Sequence, residues 1–234
     1  MIISFSGPDG IGKTTQILYL LKYFKNMGFK CCSVYDISSD IRYHNQRDLI
    51  AYYMHFQSND VIHTRFRMNS DANDKLISKL ENTSIIPNKE LAMLAAKQGY
   101  IDACEWFDTV VNPIQAEKEK ILIFDRYIWD EIAFKTFYGC SLEYMEDLYI
   151  NIERPQLSLI CTASTPTIKK RNSTRPDGDT TLYKSSIYIN QLNDIFTQIA
   201  EAHKLQIINM EGTPIDTHKK ILQLITPLLS SKNA

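Results

Sequence analysis

Apolar and polar positions follow two rhythms along this chain. Ile2–Phe5 is a short β-prone run, punctuated by Gly7, Pro8, Gly10 and Gly12. From Lys13 to Phe24 the rhythm is helical: Ile17, Leu20, Leu21 and Phe24 fall on one face, and Gly28 stands where a helix ends. Cys31–Tyr35 is a second candidate strand, and the wholly apolar Ile121–Phe124 reads as a buried parallel one. Leu157–Cys161 and Leu205–Ile208 follow, each after a helical stretch. Strands alternating with helices predict a three-layer α/β fold, a five-stranded parallel sheet with helices on both faces.

Residues 36–89 break both rhythms. They are polar, rich in aromatics and without a clean strand, and are expected to supply helices or a lid beside the sheet. No repeat, low-complexity tract or Gly/Ser-rich linker divides the chain. Residues 1–234 are therefore expected to be one domain, with 36–89 as an insertion.

Composition narrows the function classes. Lys and Arg number 26 against 27 Asp and Glu, a net charge of −1, so no broad basic face is available for a nucleic-acid polymer. The five cysteines form no CxxC pair and read as reduced thiols of a cytoplasmic protein. No apolar run approaches the roughly 20 residues that span a bilayer. Met1–Phe5 is followed at once by Pro8, Asp9 and Lys13, which is no secretory signal. The five histidines are scattered without metal-ligand spacing. Tyr52-Tyr53 and the Tyr19/Tyr23 pair read as core or interface aromatics.

The chemistry begins at Gly7-Pro-Asp-Gly-Ile-Gly12-Lys13-Thr14, which fits GxxxxGK[ST]. For this composition a chance match anywhere in the chain has a probability of about 0.003. A strand precedes the motif and a helix opens at its end, the context such a loop needs. Gly7, Gly10 and Gly12 let backbone N–H groups point into one concavity beside Asp9, with the helix N-terminus behind them. Lys13 is expected to reach the β- and γ-phosphates of a nucleoside triphosphate, and the Thr14 hydroxyl to hold Mg²⁺, with Thr15 continuing the nucleotide-binding set.

Asp125 follows the third apolar run, and a carboxylate at the end of a strand beside the phosphate loop is a hard oxygen partner for Mg²⁺. Arg126 next to it offers a fork for a second phosphate. A strand-terminal ion pair between the two is the alternative. Further on, Lys169, Lys170, Arg171 and Arg175 concentrate positive charge before Pro176-Asp-Gly178. A mobile arginine over the transferring phosphoryl group lowers the barrier, whereas a solvated basic helix end does nothing of the kind.

These segments resemble thymidylate kinases. Phe5 to Gln16 is similar to the family's opening, Asp125-Arg126-Tyr127 to its Asp-Arg-Tyr motif, with Ile128 and Ile132-Ala133-Phe134 continuing it. Glu90 to Ala96 and Pro155-Gln-Leu157 add to the likeness. The resemblance implies a P-loop kinase fold, ATP and Mg²⁺ as donor and metal, a nucleoside monophosphate acceptor, and a homodimer. It implies that Arg126 holds the acceptor phosphate, that Asp9 contacts the acceptor sugar, and that residues 168–180 form a lid. Some members place an arginine directly after the loop aspartate. Gly10 stands there in this chain, so Arg171 and Arg175 of the lid are expected to supply the catalytic cation.

The acceptor side departs from the family. Its acidic-proline-glycine segment is absent, and its thymine-stacking Phe and partner Arg fall at Leu94 and Gln98, or the Arg at Ala103. Tyr100 or Trp106 offers a replacement ring, and Arg65 or Arg67, flanking Phe66, a replacement cation. Asp130, Glu131 and Lys135 stand where the family has small hydroxyl residues and Gln. Carboxylates suit an exocyclic amine, so an amino-bearing base is expected to serve at least as well as thymine. Two alternatives share the loop: a nucleoside kinase, and a nucleotide-binding regulatory protein without acceptor chemistry.

Overall fold

The computed structural model describes residues 1–33, 60–65, 75, 79, 88–112, 115, 120–174 and 185–230. Most of 36–89, together with Arg67, Tyr52-Tyr53 and residues 175–180 of the expected lid, Arg175 among them, lies outside them. The expected strands are there: β1 (Ile2–Ser6), β2 (Cys31–Ser33), β4 (Ile121–Asp125), β5 (Leu157–Thr162) and β6 (Gln206–Asn209). A further strand, β3 (Val61–Arg65), lies inside the stretch expected to lack one. All pair in parallel, in the order β2-β3-β4-β1-β5-β6.

β1 is buried at every residue, as a central strand covered on both faces must be. Its Ser4 is satisfied sideways: Ser4 Oγ donates to Ser158 Oγ of β5 at 3.2 Å, and Trp129 Nε1 donates to that same Ser158 oxygen at 2.9 Å. β3 escapes the apolar pattern because His63 and Thr64, each 1% exposed, are buried polar residues between β2 and β4. Its register sets Arg65 beside Asp125 at the carboxyl edge of the sheet.

Seven helices cover the sheet among the described residues: α1 (Lys13–Asn26), α2 (Lys89–Trp106), α3 (Ile128–Phe137), α4 (Leu142–Leu148), α5 (Thr165–Ser173), α6 (Ser186–Ala202) and α7 (Pro214–Ser230). The face of α1 read from the sequence is the buried one, Ile17, Leu20, Leu21 and Phe24 included. Gly28, at φ 90°, donates to Lys25 O at 3.0 Å and closes the helix. α1 packs on α7, where Tyr19 and Tyr23 meet the His218 ring. α2, α3, α4 and α6 pack on one another as the second helical layer. Trp106 belongs to the core, with its ring 5.5 Å from Phe124 and 4% of its surface exposed. Burial of each such side chain contributes about 1.5–3 kcal/mol.

Candidate active site

The carboxyl ends of β1 and β4 open into a cleft of ≈ 390 Å³. β1 delivers the Gly7–Gly12 loop to it, and the loop runs straight into α1. Gly7 is required there: at φ 140° a Cβ on it would stand 2.5 Å from Cys161 O of β5. Gly12, at φ 105°, turns the chain left-handed into the helix. Asp9, Gly10, Gly12, Lys13, Thr14 and Thr15 all line the cleft.

Lys13 is folded back on the loop, its Nζ donating to Gly7 O at 2.7 Å and Pro8 O at 2.9 Å. Burial, and then the Arg126 guanidinium, pull its pKa down, while Asp9, Asp125 and Asp130 oppose them. Thr14 Oγ1 donates to Asp125 Oδ2 at 2.7 Å, joining the start of α1 to the end of β4. A hydroxyl and a carboxylate in contact are the hard oxygen pair expected for Mg²⁺. No cluster of three or more His, Cys, Asp or Glu side chains suited to a metal occurs among the described residues. The pair therefore fits an ion that takes its remaining ligands from phosphate and water.

Arg126 also lines the cleft. Its backbone is left-handed, φ 77°, which costs a non-glycine residue about 1–2 kcal/mol. Its guanidinium binds Asp9 through Nη2 and Asp130 through Nη1, the latter at 3.2 Å, and lies 5.2 Å from the centre of the Phe134 ring. Asp130 carries more than this one contact. Its Oδ1 accepts from Gly7 N at 3.2 Å and its Oδ2 from Tyr127 N at 3.0 Å. Burial pushes its carboxyl pKa up, against the pull of Arg126 and Lys13.

Two expectations about the base pocket are corrected by these contacts. Asp130 is 2% exposed and its oxygens are taken by the loop, the turn and Arg126, so it offers nothing to a base. Glu131 accepts from Lys135 Nζ at 3.2 Å, so that pair satisfies itself. The argument for an amino-bearing base loses both carboxylates. On α2, Gln98 Nε2 donates to Asp102 Oδ1 at 2.8 Å, Leu94 is 57% exposed and Ala103 is fully buried. Tyr100 packs edge-on to Tyr149, with their rings 5.7 Å apart.

Arg171, on α5, also lines the cleft. Its Nη1 donates to Ile11 O and its Nη2 to Met210 O, each at 2.8 Å. It thus clamps the phosphate loop to the segment after β6. That segment had no place in the sequence reading, yet Met210, Gly212, Pro214 and Thr217 line the cleft. Gln16 ties it down from α1, donating to Pro214 O at 2.9 Å. The rule that ligands gather at the carboxyl ends of parallel strands, applied to β6 as it was to β4, finds these residues.

Loop, strand order and cleft define a P-loop α/β protein of the kinase type. No family model matches the chain. It is similar over nearly its whole length to a probable thymidylate kinase of Pyrococcus abyssi, 21% identical over 95% of this chain and 94% of that one. A probable thymidylate kinase of Thermococcus onnurineus is 24% identical over 96% and 97% of the two chains. The thymidylate kinase of a Wolbachia from Brugia malayi is 29% identical over 68% of this chain and 63% of its own. Among solved structures, the thymidylate kinase of Ehrlichia chaffeensis shares the fold, with a TM-score of 0.60 and 17% identity over 97% and 98% of the chains. The chain is similar to thymidylate kinases, and these likenesses support a nucleoside monophosphate kinase. No helix among the described residues is long and apolar enough to cross a membrane.

Proposed function

We propose that this chain transfers the γ-phosphoryl group of ATP to a nucleoside monophosphate, with dTMP as the leading acceptor. The observation that carries the reading is the convergence of Lys13, the Thr14–Asp125 pair and Arg126 on one cleft. The loop N–H groups and the start of α1 receive the donor phosphates. Lys13 exchanges Gly7 O and Pro8 O for β- and γ-phosphate oxygens, and Arg126 exchanges Asp9 for the acceptor phosphate. Thr14 and Asp125 would hold Mg²⁺, which supplies neutralisation of the charge on the β- and γ-oxygens. An acceptor phosphate oxygen then attacks the γ-phosphorus, the bond to the bridging oxygen breaks, and ADP leaves with that electron pair.

Catalysis of this kind depends on positioning and charge, with no covalent enzyme intermediate. Arg171 belongs to the donor end in this reading, with Arg175 of the lid as the cation that closes over the phosphates. Arg65, in register with Asp125, is the proposed second cation of the acceptor side. A homodimer in the cytoplasm is proposed on the family likeness. A nucleoside kinase needs a carboxylate poised to take a hydroxyl proton. Asp9 and Asp130, the acids at Arg126, are bound to its guanidinium instead, which favours a phosphate acceptor.

The test is ADP release from ATP across dTMP, dUMP, dCMP and thymidine. Turnover of dTMP ahead of the other three is expected. Turnover of thymidine alone would make the chain a nucleoside kinase, and turnover of none would leave a nucleotide-binding protein without acceptor chemistry.

A further inference from the structure

Asp130 stands in the structure as a buried carboxylate with three grips. It holds the head of Arg126 at 3.2 Å, the peptide N–H directly after Arg126 at 3.0 Å, and the Gly7 N–H of the phosphate loop at 3.2 Å. Arg126 is thereby pinned at both ends, and it needs pinning, because its left-handed backbone is a strained one. The two acids on Arg126 are unequal: Asp9 is 39% exposed at its side chain, Asp130 only 3%. An arriving phosphate dianion displaces Asp9 from Nη2, while Asp130 keeps Nη1 and sets the direction of the fork. The same carboxylate ties that fork to the loop that holds the donor.

We propose that Asp130 is the positioning residue of the transfer reaction: it fixes Arg126, and through Arg126 the acceptor phosphate, in line with the donor loop. The inference rests on the kinase reading above. The sign of the expected effect follows from the charges. Removing a carboxylate leaves Arg126 more attractive to a dianion, so binding of the monophosphate does not weaken. Alignment is what is lost, and a misplacement on the order of 1 Å costs about 100-fold in rate.

The experiment measures kcat with ATP and the best of dTMP, dUMP and dCMP, together with calorimetric Kd values for that monophosphate and for ATP with Mg²⁺. For Asp130→Asn, kcat should fall on the order of 100-fold while both Kd values stay within about threefold. In an Arg126→Ala background the same substitution should cost less than about threefold, because the group it acts through is gone. Unchanged kcat, a fully additive cost in that background, or an ATP Kd that rises as far as kcat falls each overturns the proposal. Should Asp130→Asn fail to fold, Asp130→Glu keeps the charge on a longer stem and should lower kcat about tenfold, with an unchanged kcat overturning it. A wild-type chain that turns over no monophosphate sinks the kinase reading and this inference together. A wild type that turns over while the variants keep their kcat sinks this inference alone.

Discussion

The two ends of the cleft are built by different means. At the donor end a contiguous stretch does nearly everything: three glycines bend the loop, α1 begins at Lys13, and Thr14 reaches one neighbouring strand to meet Asp125. At the proposed acceptor end Arg126 is held by Asp9 from the loop and Asp130 from α3. Local backbone rules make the first end, and tertiary burial of charge makes the second. A donor site of the first kind tolerates divergence elsewhere in the chain, while an acceptor site of the second kind can be rebuilt whenever its supporting charges change.

The sharpest way to break this comparison is at Lys13. In the proposed reaction its charge neutralises transferring phosphate, so Lys13→Met, which keeps most of the stem, should lower kcat by about 10²–10³ with the fold intact. The measurement is initial-rate kinetics alongside thermal unfolding. A folded variant with near-normal turnover would show that the donor end is not the catalytic one. Lys13→Ala should be as inactive and less stable than Lys13→Met, since it also removes the buried stem that packs in the loop.

Arg171 is the next largest effect. It was expected to act on the transferring phosphoryl group; in the structure its guanidinium lines the cleft and donates to Ile11 O and Met210 O. Charge-assisted bonds of this type contribute about 1.5–3 kcal/mol, enough for a tenfold change or more in the affinity they support. Arg171→Ala should therefore raise the KM for ATP about tenfold while kcat falls less than about threefold. The reverse pattern, kcat falling alone, would return Arg171 to the transition state and move the donor boundary of the cleft.

The same contrast explains what could be read from the sequence. The loop, its flanking strand and helix, and the Asp125–Arg126 pair are local patterns with a physical requirement at each position, and they lie where the pattern implies. β3 was invisible because His63 and Thr64, one on each of its two buried faces, are polar, and apolar periodicity cannot report a polar residue sealed inside a sheet. Asp130 was misread as a base contact because alignment gives position and not direction. A signal was present: Arg126 and Asp130 are four apart at a helix start, and an acid at the third helical position can reach back to the N–H of the residue before the helix, as Asp130 does to Tyr127 N. The residues after β6 carry no motif at all. Their place at a strand's carboxyl end was their one clue.

The smallest effect tests the hinge between the donor end and the helix that carries Arg171. Glu211, just after β6, accepts from the backbone N–H of Ser164 and, at 2.8 Å, from the Thr167 hydroxyl at the start of α5. Met210 O, one residue earlier, receives Arg171 from the end of the same helix. Residues 210–211 therefore staple α5 at both ends. The Ser164 N–H, then the Thr167 hydroxyl, hold the Glu211 carboxyl below its usual range. A lowered folded value means that the ionised group's contribution is complete above the ordinary glutamate range and is lost as pH falls through the lowered value. The site is exposed, so the contribution is small, and Glu211→Gln should lower Tm by less than about 2 °C near neutral pH. Thermal unfolding of both proteins from about pH 7 down to about pH 3 should bring the two Tm values together at the acid end. A gap that widens with acid would mean that the carboxylate is not what fastens α5 to the donor end.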